Sequence, residues 1–119
     1  MKLLIVDDSL MMRKVVERSL AEKKFTVVGS AADGEEALRI FADALPDLVT
    51  LDITMPKMDG LAVLVEIVKI KSDAKVLMIT SQSDTATVSE VMEKGAAGIL
   101  VKPFSAEQIN EKVNEILGI

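Results

Sequence analysis

The sequence has no cysteine and no histidine among its 119 residues. Without thiols the chain can form neither disulfide bonds nor a thiolate metal site, and without imidazoles it can form neither a histidine-dependent catalytic triad nor a histidine metal site. Tryptophan and tyrosine are also missing, and aromatic residues make up only 3% of the chain, which leaves little to stack on a flavin. Catalytic triads and zinc sites are therefore excluded before any motif is considered.

Acidic residues outnumber basic ones. The chain has 14 lysines and arginines and 19 aspartates and glutamates, which gives a net charge of −5. A field of that sign repels nucleic-acid phosphates and anionic lipid surfaces, so we expect neither nucleic acid nor a membrane as a partner. The opening apolar run is too short for a signal peptide, and no run approaches the ~20 residues of a membrane span. These absences predict a single cytoplasmic domain over residues 1–119.

Five short apolar runs alternate with longer segments of helical periodicity. The runs cover residues 3–6, 26–29, 48–51, 76–79 and 99–101. Most of them lack the in–out alternation of a half-exposed sheet, which is typical of parallel strands covered on both faces. Strict alternation of strands and helices predicts a doubly wound five-stranded parallel sheet with five helices, a three-layer α/β sandwich.

The segments between the runs carry apolar stripes at the spacing of a helix face. In chain order the stripes consist of Met12, Val15, Val16 and Leu20; Leu38, Phe41 and Leu45; Leu61, Leu64, Val65 and Val68; Val88, Val91 and Met92; and Ile109, Val113, Ile116 and Leu117. Val63, Ile67 and Ile70 add apolar residues beside the third stripe. This wider face indicates either tighter packing on the sheet or a protein contact.

Polar side chains follow four of the five predicted strands. They are Asp7 and Asp8 after the first strand, Asp52 after the third, Thr80 and Ser81 after the fourth, and Lys102 after the fifth. Doubly wound folds bind ligands beyond the carboxyl ends of their strands, near the point where the strand order reverses. We therefore expect these carboxylates, hydroxyls and the single ammonium group to converge at one edge of the sheet.

The chemistry of this set favours phosphoryl transfer. Crowded carboxylates raise one another's pKa, and a hard cation such as Mg²⁺, which prefers about six oxygen ligands, resolves the conflict. Asp7 or Asp8, Asp52 and a loop carbonyl could supply the protein ligands, while Lys102 compensates the charge of a phosphoryl group and Thr80 donates to it. Because cysteine and histidine are absent, the acceptor is a carboxylate. We choose Asp52, which stands alone on the central strand.

These features resemble the response-regulator receiver domain over the full length of the chain. The matching segments are Asp7-Asp8-Ser9, Asp52 with Met55-Pro56 and Asp59-Gly60, then Thr80, and finally Lys102-Pro103-Phe104. By that resemblance Asp52 is the phosphoacceptor, and the Mg²⁺ ligands are Asp7, Asp8, Asp52 and the main-chain carbonyl of Thr54. The resemblance also implies that Thr80 and Lys102 bind the phosphoryl group and drive a conformational switch.

The same resemblance implies a signalling switch rather than an enzyme. The phosphoryl group would come from a sensor histidine kinase or a histidine phosphotransfer protein, or from a small phosphodonor. The output would be binding to a downstream effector protein by a monomeric receiver. Residues 8–13, in a stand-alone chain, are similar to the chemotaxis (CheY-like) type, for which a flagellar motor switch is the implied effector.

One position departs from the pattern of the family. Many receivers carry tyrosine or phenylalanine three residues before the conserved lysine, and this chain has Ile99 there. An isoleucine offers neither a phenol hydroxyl nor a swinging aromatic ring, so we predict a switch that uses the loop after the fourth strand and the fourth helix. The resemblance further suggests a cis peptide bond between Lys102 and Pro103, and a role for Gln82 in orienting water is a hypothesis.

Other functions remain open from the sequence. A phosphorelay shuttle and a receiver taken from a longer transcription regulator would share the same site. A Mg²⁺-dependent phosphohydrolase of the haloacid-dehalogenase type would need Asp-x-Asp after the first strand, where Ser9 is the second residue after Asp7. A flavodoxin-type module would need a Ser/Thr-rich phosphate loop at that place.

Overall fold

The computed structural model of the chain describes residues 1–81 and 85–119 and contains one parallel sheet in the order β2-β1-β3-β4-β5. The strands are β1 (Lys2–Val6), β2 (Thr26–Ala31), β3 (Leu48–Asp52), β4 (Val76–Thr80) and β5 (Gly98–Val101). The helices are α1 (Leu10–Ser19), α2 (Gly34–Ala44), α3 (Gly60–Ile70), α4 (Thr85–Glu93) and α5 (Ala106–Leu117), with a 3₁₀ turn at Ala21–Lys23. The predicted doubly wound five-stranded α/β sandwich is confirmed.

The order of the strands reverses between β1 and β3, the two neighbours in the centre of the sheet. In this topology the crevice at the reversal point lies beyond the carboxyl ends of the central strands. Asp52 and Thr80 are the last residues of β3 and β4, one residue further along than the predicted strands reach. The strand ends therefore fix the positions of both side chains within the sheet.

Helices cover both faces of the sheet. Phe41 of α2, Ile67 of α3 and Val91 of α4 pack against one face, and Val16 of α1 and Ile109 of α5 pack against the other. All five side chains are at most 1% exposed. The strands are thus buried between two apolar layers, as their apolar composition predicts.

The predicted apolar face of α3 is confirmed in part. Leu64 of the predicted stripe is fully buried, and Leu61 and Val68 are partly buried and pack against the core. The other fully buried side chains of the helix are Val63 and Ile67, whereas Val65 is only partly buried. Val63 and Ile67 thus belong to the wider apolar face because they pack on the sheet, the first of the two alternatives given above. Ile70, the third residue of the wider face, is 46% exposed at the end of the helix.

Three other residues assigned to the core lie at the surface. Val15 is 36% exposed, Leu45 47% and Met92 44%. Leu45 leaves the predicted stripe because α2 ends at Ala44, and Leu45 caps the helix in a left-handed conformation with φ of 45°. The stripe of α5 is confirmed, since Ile109 and Val113 are fully buried and Ile116 and Leu117 pack beside them.

None of the helices within residues 1–81 and 85–119 combines the length and the apolar character that crossing a bilayer would require.

Thr50 places a hydroxyl inside the central strand. Its side chain is 1% exposed, its register neighbours are Ile5 and Leu77, and its Oγ1 has no hydrogen-bond partner within the described part of the chain. We expect Thr50→Val to raise the free energy of unfolding by about 1 kcal/mol, because it replaces a buried unpaired hydroxyl with a methyl group of the same shape. The melting temperature should rise by about 4 °C in thermal unfolding.

The exposed Thr26 at the start of the edge strand β2 gives a matched control for this substitution. Thr26→Val should change the free energy of unfolding by less than about 0.5 kcal/mol. A lower melting temperature for Thr50→Val than for the wild type would contradict the expectation.

Candidate functional site

The structure brings Asp7, Asp8 and Asp52 together at the carboxyl edge of the sheet. Asp7 and Asp8 follow β1, Asp52 ends the neighbouring β3, and one carboxylate oxygen of each lies within 4.8 Å of the other two. Parallel strands end at the same edge, so residues 45 positions apart in the chain become neighbours here. Three negative charges in this space form a site that only a cation can balance.

The two adjacent aspartates have different surroundings. Asp7 is 3% exposed, whereas the side chain of Asp8 is exposed. The Asp7 carboxylate accepts hydrogen bonds from Ser9 N at 2.9 Å and from Lys102 Nζ at 3.1 Å, and its backbone N donates to the Ala31 carbonyl at 3.1 Å. Asp7 is therefore a fixed group at the bottom of the site, and Asp8 lies at its solvent side.

Lys102 supplies the cation of the site. Its Nζ lies 3.1 Å from Asp7 Oδ2 and 3.4 Å from Asp52 Oδ1. Its backbone N donates to the Thr80 carbonyl at 2.7 Å, which ties the residue after β5 to the last residue of β4. The Lys102–Pro103 peptide bond is cis, the isomer that the resemblance suggests. The ammonium group thus bridges the two buried carboxylates.

The electrostatics of the site favour an added cation. Burial raises the pKa of Asp52 above its ordinary value, the Asp7 carboxylate raises it further, and Lys102 offsets part of this effect. Burial alone would lower the pKa of Lys102, but the hydrogen bond to Asp7 and the charges of Asp52 and Asp7 outweigh it, so the pKa of Lys102 is raised. One ammonium group does not neutralise three carboxylates, and hard oxygen donors of this kind fit Mg²⁺.

Three hydroxyl residues lie at or just after the ends of β3 and β4, namely Thr54, Thr80 and Ser81. Thr80 is 1% exposed at the end of β4, beside β3 in the sheet. Ser81 and Thr54 are exposed, and Thr54 lies in the loop two residues after Asp52. Gln82, the residue of the water-orienting hypothesis, lies outside the described residues. The predicted hydroxyl of Thr80 is therefore held in the sheet itself, while Thr54 belongs to the loop that leaves Asp52.

Gly60 is part of the site through its backbone, which the sequence analysis missed. Its N–H donates to the Ile53 carbonyl at 2.7 Å and closes the loop between Asp52 and α3. A Cβ atom at this position would lie 2.0 Å from the carbonyl oxygen of Asp52. The Asp59-Gly60 pair was noted as part of a motif, but only the fold shows that glycine allows α3 to begin against the main chain of Asp52.

Ile99 is the second residue of β5, three residues before Lys102. It is partly buried and packs against the core layer of α2, α3 and α4. Together with Val88 and Met92 of α4 and Ile116 of α5, it lines a surface groove of about 320 Å³. An aliphatic side chain therefore occupies the position where many receivers carry an aromatic ring.

Comparisons with known proteins agree with this geometry. A family model described as the response regulator receiver domain matches residues 3–114. Chemotaxis protein CheY of Listeria monocytogenes is 40% identical over 115 residues, which cover 97% of each chain. Chemotaxis protein CheY of Bacillus subtilis is 38% identical over 116 residues, covering 98% of this chain and 97% of the relative.

A solved structure is similar over the same length. A chain in the crystal structure of the CheX-CheY-BeF3-Mg²⁺ complex from Borrelia burgdorferi superposes with a TM-score of 0.94 at 36% identity. The match covers 98% of this chain and 88% of that chain. The similarity therefore extends to the fold as well as to the sequence.

Proposed function

Because the chain belongs to the response regulator receiver family, we propose that it accepts a phosphoryl group on Asp52 from a sensor histidine kinase or a histidine phosphotransfer protein. Receiver domains of this family are signalling proteins of two-component systems rather than conventional enzymes. The observation that carries the proposal is the buried Asp52 carboxylate, with Lys102 Nζ at 3.4 Å and the carboxylates of Asp7 and Asp8 beside it.

In the proposed reaction an Asp52 carboxylate oxygen attacks the phosphorus atom of a phosphohistidine. A P–O bond to Asp52 forms as the P–N bond breaks, and the electron pair of that bond returns to the imidazole nitrogen of the donor. Asp52 must be ionised to attack, and the Lys102 ammonium lowers the pKa of Asp52 against the raising effect of burial. Lys102 also stabilises the negative charge of the transferred group.

Mg²⁺ is the cation that we assign to this site, with Asp7, Asp8, Asp52 and the Thr54 main-chain carbonyl as its protein ligands. When bound, it would offset the carboxylate charge and act as a Lewis acid toward the phosphoryl group. Asp7 is pre-positioned for this role by its buried hydrogen bonds, and Asp8 remains open to solvent. The Thr80 hydroxyl is assigned to the phosphoryl oxygens as a hydrogen-bond donor.

The output that we propose is a change in the binding of a downstream effector protein. The relatives named as chemotaxis proteins favour a role in motility signalling, with a flagellar motor switch as the effector. We further propose that the chain acts in the cytoplasm as a monomer with a single domain over residues 1–119. Since Ile99 cannot rotate as an aromatic ring does, we assign the shift to α4 and to the loop after β4, of which residues 82–84 lie outside the described residues. Paired structures in which Ile99 reorients strongly on phosphorylation would contradict this assignment.

The test of the phosphoacceptor is intact-mass spectrometry after incubation with acetyl phosphate and Mg²⁺. We expect one phosphoryl adduct on the wild type that hydroxylamine removes, because acyl phosphates react with this nucleophile. Asp52→Asn should carry no such adduct. The control Asp73→Asn changes an exposed aspartate whose carboxylate lies 3.8 Å from Lys71 Nζ, and it should be phosphorylated like the wild type.

Two outcomes would contradict the proposal. The first is an adduct of wild-type size on Asp52→Asn that hydroxylamine removes. The second is the absence of any adduct on the wild type. Onward transfer of the phosphoryl group to a second histidine phosphotransfer protein, measured with the phosphorylated chain, would instead identify a phosphorelay shuttle.

A further inference from the structure

Arg13 of α1 contacts the site through the main chain rather than through a carboxylate. Its Nη1 donates to the carbonyl oxygen of Asp7 at 2.6 Å. Asp7 lies one residue beyond the end of β1, and Ser9 is the N-cap of α1, so this hydrogen bond spans the turn from strand to helix. The carbonyl that accepts it belongs to the peptide group that joins Asp7 to Asp8.

The side chain of Arg13 is partly buried beside this turn. Its Nε is buried and has no hydrogen-bond partner within the described part of the chain. A buried donor without a partner costs about 1 to 3 kcal/mol, and arginine cannot lower this cost by losing its proton. The structure therefore holds a charged group in an unfavourable position. Within the described residues, the one hydrogen bond of the Arg13 guanidinium group is the bond to the Asp7 carbonyl.

The contacts of Asp7 show what this hydrogen bond controls. Ser9 N and Lys102 Nζ hold the carboxylate of Asp7, and the Ala31 carbonyl accepts from its backbone N. Without Arg13 these three contacts remain, but the peptide plane between Asp7 and Asp8 loses its partner. Rotation of that plane moves the exposed Asp8 carboxylate relative to Asp7 and Asp52.

We infer that Arg13 is a positioning residue that sets the affinity of the site for a divalent cation by fixing the peptide group between Asp7 and Asp8. The inference rests on the proposed function, because it assigns a cation to the three carboxylates. Partners that orient metal ligands in this way typically contribute a factor of 10 to 100 to metal affinity. Removing the hydrogen bond should therefore weaken binding about tenfold.

The charge of Arg13 alone predicts the opposite change in metal affinity when Arg13 is replaced. A cation beside a cation site repels the metal, so a purely electrostatic role would make Arg13→Gln bind divalent ions more tightly. Arg13→Lys keeps the charge but lacks the planar fork that reaches the carbonyl. Both variants should bind more weakly if Arg13 acts by positioning, and the direction of the change for Arg13→Gln separates the two roles.

The experiment measures Mn²⁺ binding by electron paramagnetic resonance of the free ion, with Mg²⁺ as competitor. The proteins are the wild type, Arg13→Gln, Arg13→Lys and the control Arg18→Gln, which changes an exposed arginine on the same helix. We expect about tenfold higher dissociation constants for both Arg13 variants and wild-type values for Arg18→Gln. The Mg²⁺ concentration for half-maximal phosphorylation by acetyl phosphate should rise equally, with an unchanged rate at saturating Mg²⁺.

Unchanged or tighter Mn²⁺ binding by Arg13→Gln, with a phosphorylated wild type, would overturn the inference and leave the proposed function intact. A wild type that neither binds Mn²⁺ nor becomes phosphorylated would overturn both. Thermal unfolding without metal shows whether each variant is folded. If Arg13→Gln does not fold, Arg13→Lys decides, and wild-type affinity in that variant would overturn the inference.

Discussion

A Gly60→Ala variant is expected to lose about 3 kcal/mol or more of its free energy of unfolding and most of its phosphorylation by acetyl phosphate. The added Cβ would lie 2.0 Å from the carbonyl oxygen of Asp52 and 2.7 Å from the Cα atom of Ile53. Both are main-chain atoms, so no side-chain rotation relieves the overlap. Either α3 must move away or the backbone that carries Asp52 must shift.

Urea unfolding of this variant should be compared with that of Gly98→Ala. The Cβ added at Gly98 would lie 3.1 Å from the Cδ1 atom of Ile116, the far end of a flexible side chain that can move by a few tenths of an ångström. We expect a change of less than about 1 kcal/mol in that control. Equal stabilities of the two variants, or wild-type phosphorylation of Gly60→Ala, would contradict the assigned role of Gly60.

The fold could be predicted from the sequence because its signals are local. Apolar runs of strand length alternate with helical periods, and this alternation determines the layer architecture without knowledge of any contact. The buried face of α3 could not be predicted in the same way. Nearly every residue of Gly60–Ile70 is apolar, so the sequence has no single stripe, and packing on the sheet selects Val63 and Ile67.

The members of the candidate site could be predicted because parallel strands end at one edge. Asp7, Asp52 and Lys102 follow from this rule alone, and the structure places them in contact. The difference between Asp7 and Asp8 was missed, and alternation along β1 offers no signal for it. Leu4 and Val6 on one face are as buried as Leu3 and Ile5 on the other, so the pattern of the strand does not show which aspartate is buried.

Arg13 and Gly60 could not be assigned their roles before the fold was known. Each contacts the main chain of an aspartate, and main-chain contacts leave no residue pattern in a single sequence. Arg13 reaches the Asp7 carbonyl only because α1 turns back over the end of β1, and Gly60 meets Asp52 only because the loop closes through Ile53. The spacing of the sequence thus predicts the side chains of the site, but it does not predict the residues that position their main chain.

Replacing Lys102 with methionine should lower the free energy of unfolding at pH 7, without divalent cations, by about 2 kcal/mol. Breaking a buried ion pair by removal of one partner costs about 3 to 5 kcal/mol, and the partial exposure of Lys102 reduces this figure. The side chain is 21% exposed, while those of Asp7 and Asp52 are only 5% and 8% exposed. The variant leaves these buried carboxylates without their ammonium partner.

The stability that Lys102→Met loses should become smaller as the pH falls. Burial and Asp7 already raise the pKa of Asp52 above its ordinary value of 3.8, and removal of Lys102 raises it further. A carboxyl group with a raised pKa in the folded state binds its proton there before the unfolded chain does, so folding gains stability as the pH falls through the folded pKa toward 3.8. In the wild type, the raised pKa of Lys102 adds stability that is present below pH 10.5 and lost as the pH rises through the folded value.

Lys69→Met is the matched control, since Lys69 Nζ lies 3.4 Å from Glu66 Oε1, the same separation as that between Lys102 and Asp52. The side chains of Lys69 and Glu66 are 67% and 43% exposed, and surface pairs of this kind contribute about 0 to 1 kcal/mol. The double variant Lys102→Met with Asp52→Asn should regain part of the lost stability, because it removes one of the two carboxylates that lost their ammonium partner, while Asp7 remains charged. A pH-independent loss, or no recovery in the double variant, would mean that Lys102 stabilises the fold through its packing rather than through its charge.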